Sequence, residues 1–232
     1  MLCWNIEGLT GCLRRGNDLD FSPHKVIMLT ETFLTQSITE QLVPNYRNFY
    51  AEARKTEGRP SGGLAILTSP LIPNTKTMFK SDNILGVVTT NMTFVVAYYR
   101  PNTPVAEITV EINELLTKVN TNDAILYGDF NCRIDTADQR GADLTEALLH
   151  MNLQLLNKPY EKTYISSNGS STIDLVFVTE RMTTTTELKV QPTVARKHQR
   201  IELTRTAPGK RKNRKGNARR NQSEGSTWTH RK

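Results

Sequence analysis

The chain has 232 residues, 37% of them hydrophobic, a formal net charge of +7 and a mean hydropathy of -0.47. That length can bury one substantial core, and no apolar run approaches the length of a bilayer span, so a single domain with no membrane partner is expected. Cys3, Cys12 and Cys132 have no metal-ligand spacing, and the first residues, MLCWNIEGL, lack the basic and apolar regions of a secretion signal, so a reducing intracellular compartment is expected.

Leu2 to Ile6 reads as a first strand, with Asn5 and Glu7 at its end and Gly8 turning the chain. Gly11 to Asp20 reads as a short helix. Lys25 to Thr30 is a second buried strand that delivers Glu31 at its C-terminal end. Gly62 to Thr68, Ile84 to Thr90 and Thr93 to Tyr99 are β-branched or apolar runs whose close succession suggests antiparallel pairs. Arg100-Pro101-Asn102 ends the last of them, because proline cannot continue a ladder. Val105 to Asn120 is a helix with Ile108, Ile112, Leu115, Leu116 and Val119 on one face. A short strand, Asp123 to Tyr127, then breaks on Gly128-Asp129-Phe130-Asn131. Leu144 to Met151 is another helix, and Leu153 to Leu156, Thr163 to Ser166, Thr172 to Val178 and Val194 to Leu203 read as strands. The order favours two sheets with helices packed outside.

The charge is unevenly placed. Ten of the 30 basic and one of the 23 acidic residues lie from Arg205 onward, which leaves 20 against 22 before it, a net charge of -2. The globular part, residues 1–204, is therefore close to neutral. The tail, residues 205–232, has no apolar period and reads as disordered. Its run GKRKNRKGNARR suits a nuclear address or a non-specific phosphate clamp as well as a plain solvated end.

Polar residues gather where strands give way to loops: Asn5, Glu7, Glu31, Tyr99, Asn102, Asp129 and Asn131. An acid and an amide two residues apart, held by a rigid strand, can hold one water and one phosphate oxygen. Gly, Asp and Asn are also the commonest turn residues, so Gly128 to Asn131 taken alone reads more readily as a capping loop. Asp174 differs, since it sits inside the apolar run Thr172-Ile173-Asp174-Leu175-Val176-Phe177. A carboxylate there needs a partner to offset its desolvation. His198, one of four histidines, is the candidate, and the pair would make a phosphate-facing cation.

The ordered set Trp4-Asn5-Ile6-Glu7-Gly8-Leu9, Thr30-Glu31-Thr32, Tyr99-Arg100-Pro101-Asn102, Gly128-Asp129-Phe130-Asn131 and Ser171-Thr172-Ile173-Asp174 resembles the endonuclease/exonuclease/phosphatase superfamily. The likeness is strongest to the apurinic-endonuclease-like domain of non-LTR (LINE-type) retrotransposons, to which NGSSTIDLVF and GADLTEALLHMNLQLLN are also similar. It spans about Leu2 to Leu203. The resemblance implies a four-layered α/β/β/α sandwich of two packed mixed sheets, with the site at one end of both. It implies that Glu31 binds a divalent metal, Mg²⁺ or Mn²⁺, with Asn5 and Glu7 holding its shell. Asp129 would activate the attacking water beside Asn131, and Asp174 would orient His198. Tyr99 and Asn102 would contact the scissile phosphate, with Arg100, Thr172 and Lys197 as further substrate contacts.

The chain departs from the family pattern at one point. A Ser-Asp-His triplet is expected, and here Arg196-Lys197-His198 places a cation before the histidine. The expectation is therefore a Mg²⁺-dependent endonuclease that nicks DNA and leaves a 3′-OH primer for reverse transcription, with DNA, element RNA or a reverse transcriptase domain as partners. A degenerate or domesticated copy that binds nucleic acid without cutting is the alternative that Lys197 supports. Repair at abasic sites is a second alternative.

Overall fold

A computed structural model describes residues 1–15, 20–35, 42–119, 123–193 and 196–206. The elements are β1 (Leu2–Asn5), α1 (Leu9–Arg15), β2 (Val26–Thr30), β3 (Arg47–Arg54), β4 (Ser61–Thr68), β5 (Lys76–Lys80), β6 (Ile84–Val88), β7 (Thr93–Tyr98), α2 (Val105–Lys118), β8 (Ala124–Asp129) and α3 (Gln139–His150). They continue with β9 (Leu153–Leu155), β10 (Tyr164–Ser166), β11 (Gly169–Ser171), β12 (Asp174–Thr179), β13 (Thr186–Gln191) and β14 (Arg200–Arg205). The basic tail from residue 207 on lies outside the described residues, as do residues 16–19 of the expected first helix and residues 194–195 of the expected last strand.

Two six-stranded mixed sheets pack face to face. One has the order β13-β14-β1-β2-β4-β3 and the other β5-β6-β7-β8-β12-β9. Each is built around a parallel pair, β1 with β2 and β7 with β8, flanked by antiparallel neighbours. The parallel pairs demand crossovers, and α1 and α2 lie in them. Between the sheets, Cys3, Met28, Leu64 and Ile66 meet Val87, Phe94, Val96, Ile125, Tyr127 and Val176. The second sheet buries its outer face under α2 and α3, where Ile108, Ile112, Leu115, Leu144 and Leu148 cover Leu126, Phe130 and Phe177. The first sheet buries its outer face under α1 and adjoining loops, with Leu9 and Cys12 packed near Leu2, Trp4, Ile27 and Leu29. The result is the α/β/β/α layering of the deoxyribonuclease I-like fold.

The topology corrects several sequence expectations. Ser61–Thr68 does not pair with Ile84–Val88, because β4 belongs to the other sheet and pairs with β2 and β3. The strand expected from Val194 begins at Arg200, and His198 before it makes only a single bridge to Tyr164. Asp174 opens β12 instead of lying within it.

This arrangement brings six chain segments to one end. Asn5, Tyr98 and Asp129 close β1, β7 and β8, Glu31 follows β2, and Asp174 and His198 stand at the entries to β12 and β14. Asp174 and Asp129 are direct register partners. Sites in sheets with parallel strands form beyond the carboxyl ends of those strands, and that is the end occupied here.

Candidate active site

Asp129 and Asn5 form the floor. Asp129 is 3% exposed, and its Oδ2 accepts a 2.9 Å hydrogen bond from Asn5 Nδ2. Its Oδ1 accepts from the Asn131 N–H at 3.1 Å, a turn that Asn131 enters at a left-handed φ of 49°. Asn131 Nδ2 then donates to the Tyr99 carbonyl at 2.9 Å. Asn5 Oδ1 accepts from the Glu7 N–H at 3.2 Å. Glu7 and Glu31 also hold left-handed backbones, with φ of 46° and 51°. Non-glycine residues reach that region rarely and at a cost, and such strain concentrates at functional loops. The two loops are zipped together, since Gly8 N–H donates to the Glu31 carbonyl at 2.8 Å and Leu9 N–H to the Thr32 carbonyl at 3.0 Å.

The structure brings Asp174 and His198 together. Asp174 is fully buried, and its Oδ2 and Oδ1 lie 2.9 and 3.1 Å from His198 Nδ1. The His198 carbonyl accepts from the Trp4 indole N–H at 3.1 Å, and the Tyr164 ring meets the imidazole edge-on at 4.9 Å. Burial alone would lower the proton affinity of His198. The charge and hydrogen bond of Asp174 outweigh it and raise the imidazole to about 9, with Asp129 and Glu31 adding to the effect. Asp129 is itself raised from the usual carboxylate range, first by burial and then by Asp174, while His198 pulls the other way.

These groups surround a cleft of about 480 Å³ lined by Glu7, Glu31, Tyr98, Asp129, Arg133, Tyr164, Lys197 and His198. Two larger concavities, of about 560 Å³ beside α3 and about 600 Å³ around Phe21 and Tyr46, have none of the clustered Asp129, Asp174 and His198 ligand atoms in their lining. Six of the sequence-derived residues do not line this cleft: Asn5 and Asp174 are buried behind Asp129 and His198, and four others lie elsewhere. Tyr99 is 1% exposed and points outward under α2, where its hydroxyl donates to Glu111 Oε2 at 3.1 Å. Tyr98 occupies the cleft instead, with its hydroxyl within hydrogen-bonding reach of Glu31 and Ser61. Successive residues of a strand point to opposite faces, and β7 is buried on both, so its apolar pattern carries no parity signal. Arg100 and Asn102 are exposed in the following loop, and Pro101 is the residue of that turn that reaches the cleft. Thr172 is buried, and its hydroxyl is spent on the Pro159 and Glu161 carbonyls, each at 3.2 Å. Lys197 does line the cleft, next to His198.

The donor set suits a hard divalent cation. Glu7, Glu31 and Asp129 line the cleft with Asp174 behind His198, while the cations there are His198, Lys197 and Arg133, the last paired with Asp135; every donor but His198 is oxygen. Among the described residues, Asp129, Asp174 and His198 have ligand atoms within 4.8 Å of one another. That trio is not the better cation site, because His198 Nδ1 engages both Asp174 oxygens and a charged imidazole repels a cation. The carboxylates of Glu31 and Glu7 are half-buried beside the cleft, with Asn5 between Glu7 and Asp129.

A family model described as endonuclease-reverse transcriptase matches residues 92–202. No curated protein matches the sequence. Among solved structures, the chain is similar to the endonuclease domain of TRAS1, a telomere-specific non-LTR retrotransposon, with a TM-score of 0.64 and 19% identity over 88% of this chain and 96% of that one. It is also similar to the 3′-5′ exonuclease NExo from Neisseria meningitidis, with a TM-score of 0.66 and 14% identity over 88% and 98%. A Neisseria 3′ phosphatase NExo bound to a product DNA hairpin gives a TM-score of 0.67 at 14% identity over 89% and 98%. At these identities the structures speak for the fold, and the family match covers the strands and loops that carry Asp129, Asp174 and His198. Over residues 92–202 the chain is similar to the endonuclease-reverse transcriptase family, and it shares the fold of these nucleases.

Proposed function

We propose that this chain is a Mg²⁺-dependent DNA endonuclease that hydrolyses one phosphodiester and leaves a 3′-OH from which reverse transcription can start. The observation that carries this reading is the joined constellation at one cleft: Asn5 holding Asp129, Asp174 holding His198, and Glu31 and Glu7 alongside. Asp129 sits where it can take the proton of an attacking water, and its raised proton affinity suits a base working near neutral pH. Asn131 fixes the carboxylate rotamer through its backbone N–H and anchors its own side chain on Tyr99. His198, charged and aimed by Asp174, offers Nε2–H to oxygens that gain charge as the phosphate becomes five-coordinate. Glu31 and Glu7, with Asn5 beside them, would hold the divalent ion, whose chemistry there is Lewis-acid polarisation of a phosphoryl oxygen. The family description, which joins endonuclease to reverse transcriptase, supports the use of the nick as a primer.

Lys197 favours a second reading, binding without cutting, because a cation beside His198 replaces an acid that would strengthen the metal site. Extension of the nicked product by a DNA polymerase separates the two. The first reading expects radiolabelled nucleotide to be added directly at the nick, without prior phosphatase treatment. Recovery of bound but intact duplex would establish the second.

A further inference from the structure

A phosphodiester is an anion, yet the centre that would receive it carries excess carboxylate charge. An anionic strand is stable there only if the cleft walls offset the repulsion; Lys197 is one cation there, and the other is held by a built feature. Arg133 lies two residues past Asn131 and lines the same cleft. Its Nε donates to Asp135 Oδ1 at 3.3 Å, and its Nη2 to Asp135 Oδ2 at 3.1 Å and to the Ser170 carbonyl at 3.2 Å. Nη1 has no protein partner among the described residues. Asp135 is the fixed point of this arrangement. Its side chain is 2% exposed, and it also accepts from Lys162 Nζ at 2.6 Å and from the Thr172 N–H at 3.3 Å.

One buried carboxylate thus serves two cations, whose side chains are 45% and 31% exposed, and the surplus positive charge faces solvent. An exposed ion pair stabilises a fold only weakly, so stability alone does not explain a guanidinium fixed at three points. A guanidinium with its fork pre-set and one nitrogen free is suited to an oxyanion, because little side-chain entropy is left to lose. We propose that Arg133 binds a backbone phosphate of the DNA flanking the scissile one, with Asp135 as the residue that positions it. This assignment rests on the nuclease reading above.

Arg133→Ala and Arg133→Lys in the full chain provide the test. Binding to a labelled 20-base-pair duplex is measured by fluorescence anisotropy in chelator across a salt series, and single-turnover nicking is measured at saturating DNA with Mg²⁺. Arg133→Ala is expected to weaken binding about tenfold and to make the log K against log salt slope shallower by about 0.9, the loss of one phosphate contact. Arg133→Lys is expected to keep the slope and recover only part of the affinity, because it keeps the charge without the fork. At saturating DNA the nicking rate reads the chemical step apart from binding, and a fall there larger than the loss of affinity would overturn the assignment to a flanking phosphate. An unchanged Kd and slope in Arg133→Ala, with only a lowered melting temperature, would overturn the assignment while a nicking wild type left the nuclease reading intact. A wild type that neither binds nor nicks DNA would overturn both.

Discussion

His198 is held from three sides, by Asp174 at Nδ1, by the Trp4 indole at its carbonyl and by the Tyr164 ring at its edge. The first of these contacts sets its charge. Because the folded state raises the imidazole to about 9 from an ordinary 6.5, the pair's contribution to stability is fully present below pH 6.5 and fades as pH rises through 9. In Asp174→Asn the histidine should titrate at or below 6.5, followed by NMR, and this alkaline loss of stability should vanish. Nicking should fall by about 10²–10³. An unshifted His198 titration in that variant would contradict the pairing. The tyrosines give a second comparison at the same scale. Tyr98→Phe should slow nicking about tenfold, the loss of one hydrogen bond in the cleft. Tyr99→Phe should leave the rate within about twofold and lower stability by about 1 kcal/mol, measured by urea denaturation. The Tyr-Arg-Pro-Asn motif was legible in the sequence, whereas the side of β7 on which each tyrosine falls was not.

At the scale of elements, the central strands were legible, whereas the edge strands β3, β5 and β13 and the short β11 were not. The strands β3, β5 and β13 are all sheet edges, with sequences RNFYAEAR, KTMFK and TELKVQ. Edge strands are half solvated and carry charge that discourages pairing with other chains, so they lack the apolar runs that betray β2 or β8. The internal strand β4, next to the edge strand β3, supports the Glu31 loop. Thr32 and Phe33 donate to the Gly63 and Gly62 carbonyls at the start of β4, at 3.0 and 3.1 Å. Gly63 has a φ of 85°, and a Cβ there would stand 2.6 Å from Thr32 Oγ1 and 3.1 Å from Ala53 Cβ. Gly63→Ala should therefore cost about 1–3 kcal/mol of stability and raise the Mg²⁺ concentration needed for half-maximal nicking, by displacing Glu31. Gly58→Ala, where a Cβ meets nothing, should change neither. Equal Mg²⁺ requirements in both variants would show that the β4 entry does not support the metal site.

At the scale of the molecule, charge is layered around the site. Carboxylates lie inside the cleft, while Lys197 and Arg133 stand at its walls. Residues 1–204 have a net charge of only -2, so composition could not show this layering. Asn5, Glu31, Asp129, Asp174 and His198 could be read from their positions at strand ends and in ordered motifs. Arg133 could not, because Asp135, only two residues on, is itself fixed by Lys162 across 27 positions of chain, and Ser170 reaches Arg133 across 37. The central claim is that these groups form one hydrolytic site that works despite Lys197. Its most direct test is nicking of supercoiled plasmid with Mg²⁺, with Mn²⁺ and with chelator, beside Asp129→Ala. The account predicts metal-dependent conversion to open circles by the wild type and its loss in Asp129→Ala. No nicking by a folded wild type in either metal, or equal nicking by Asp129→Ala, would contradict it.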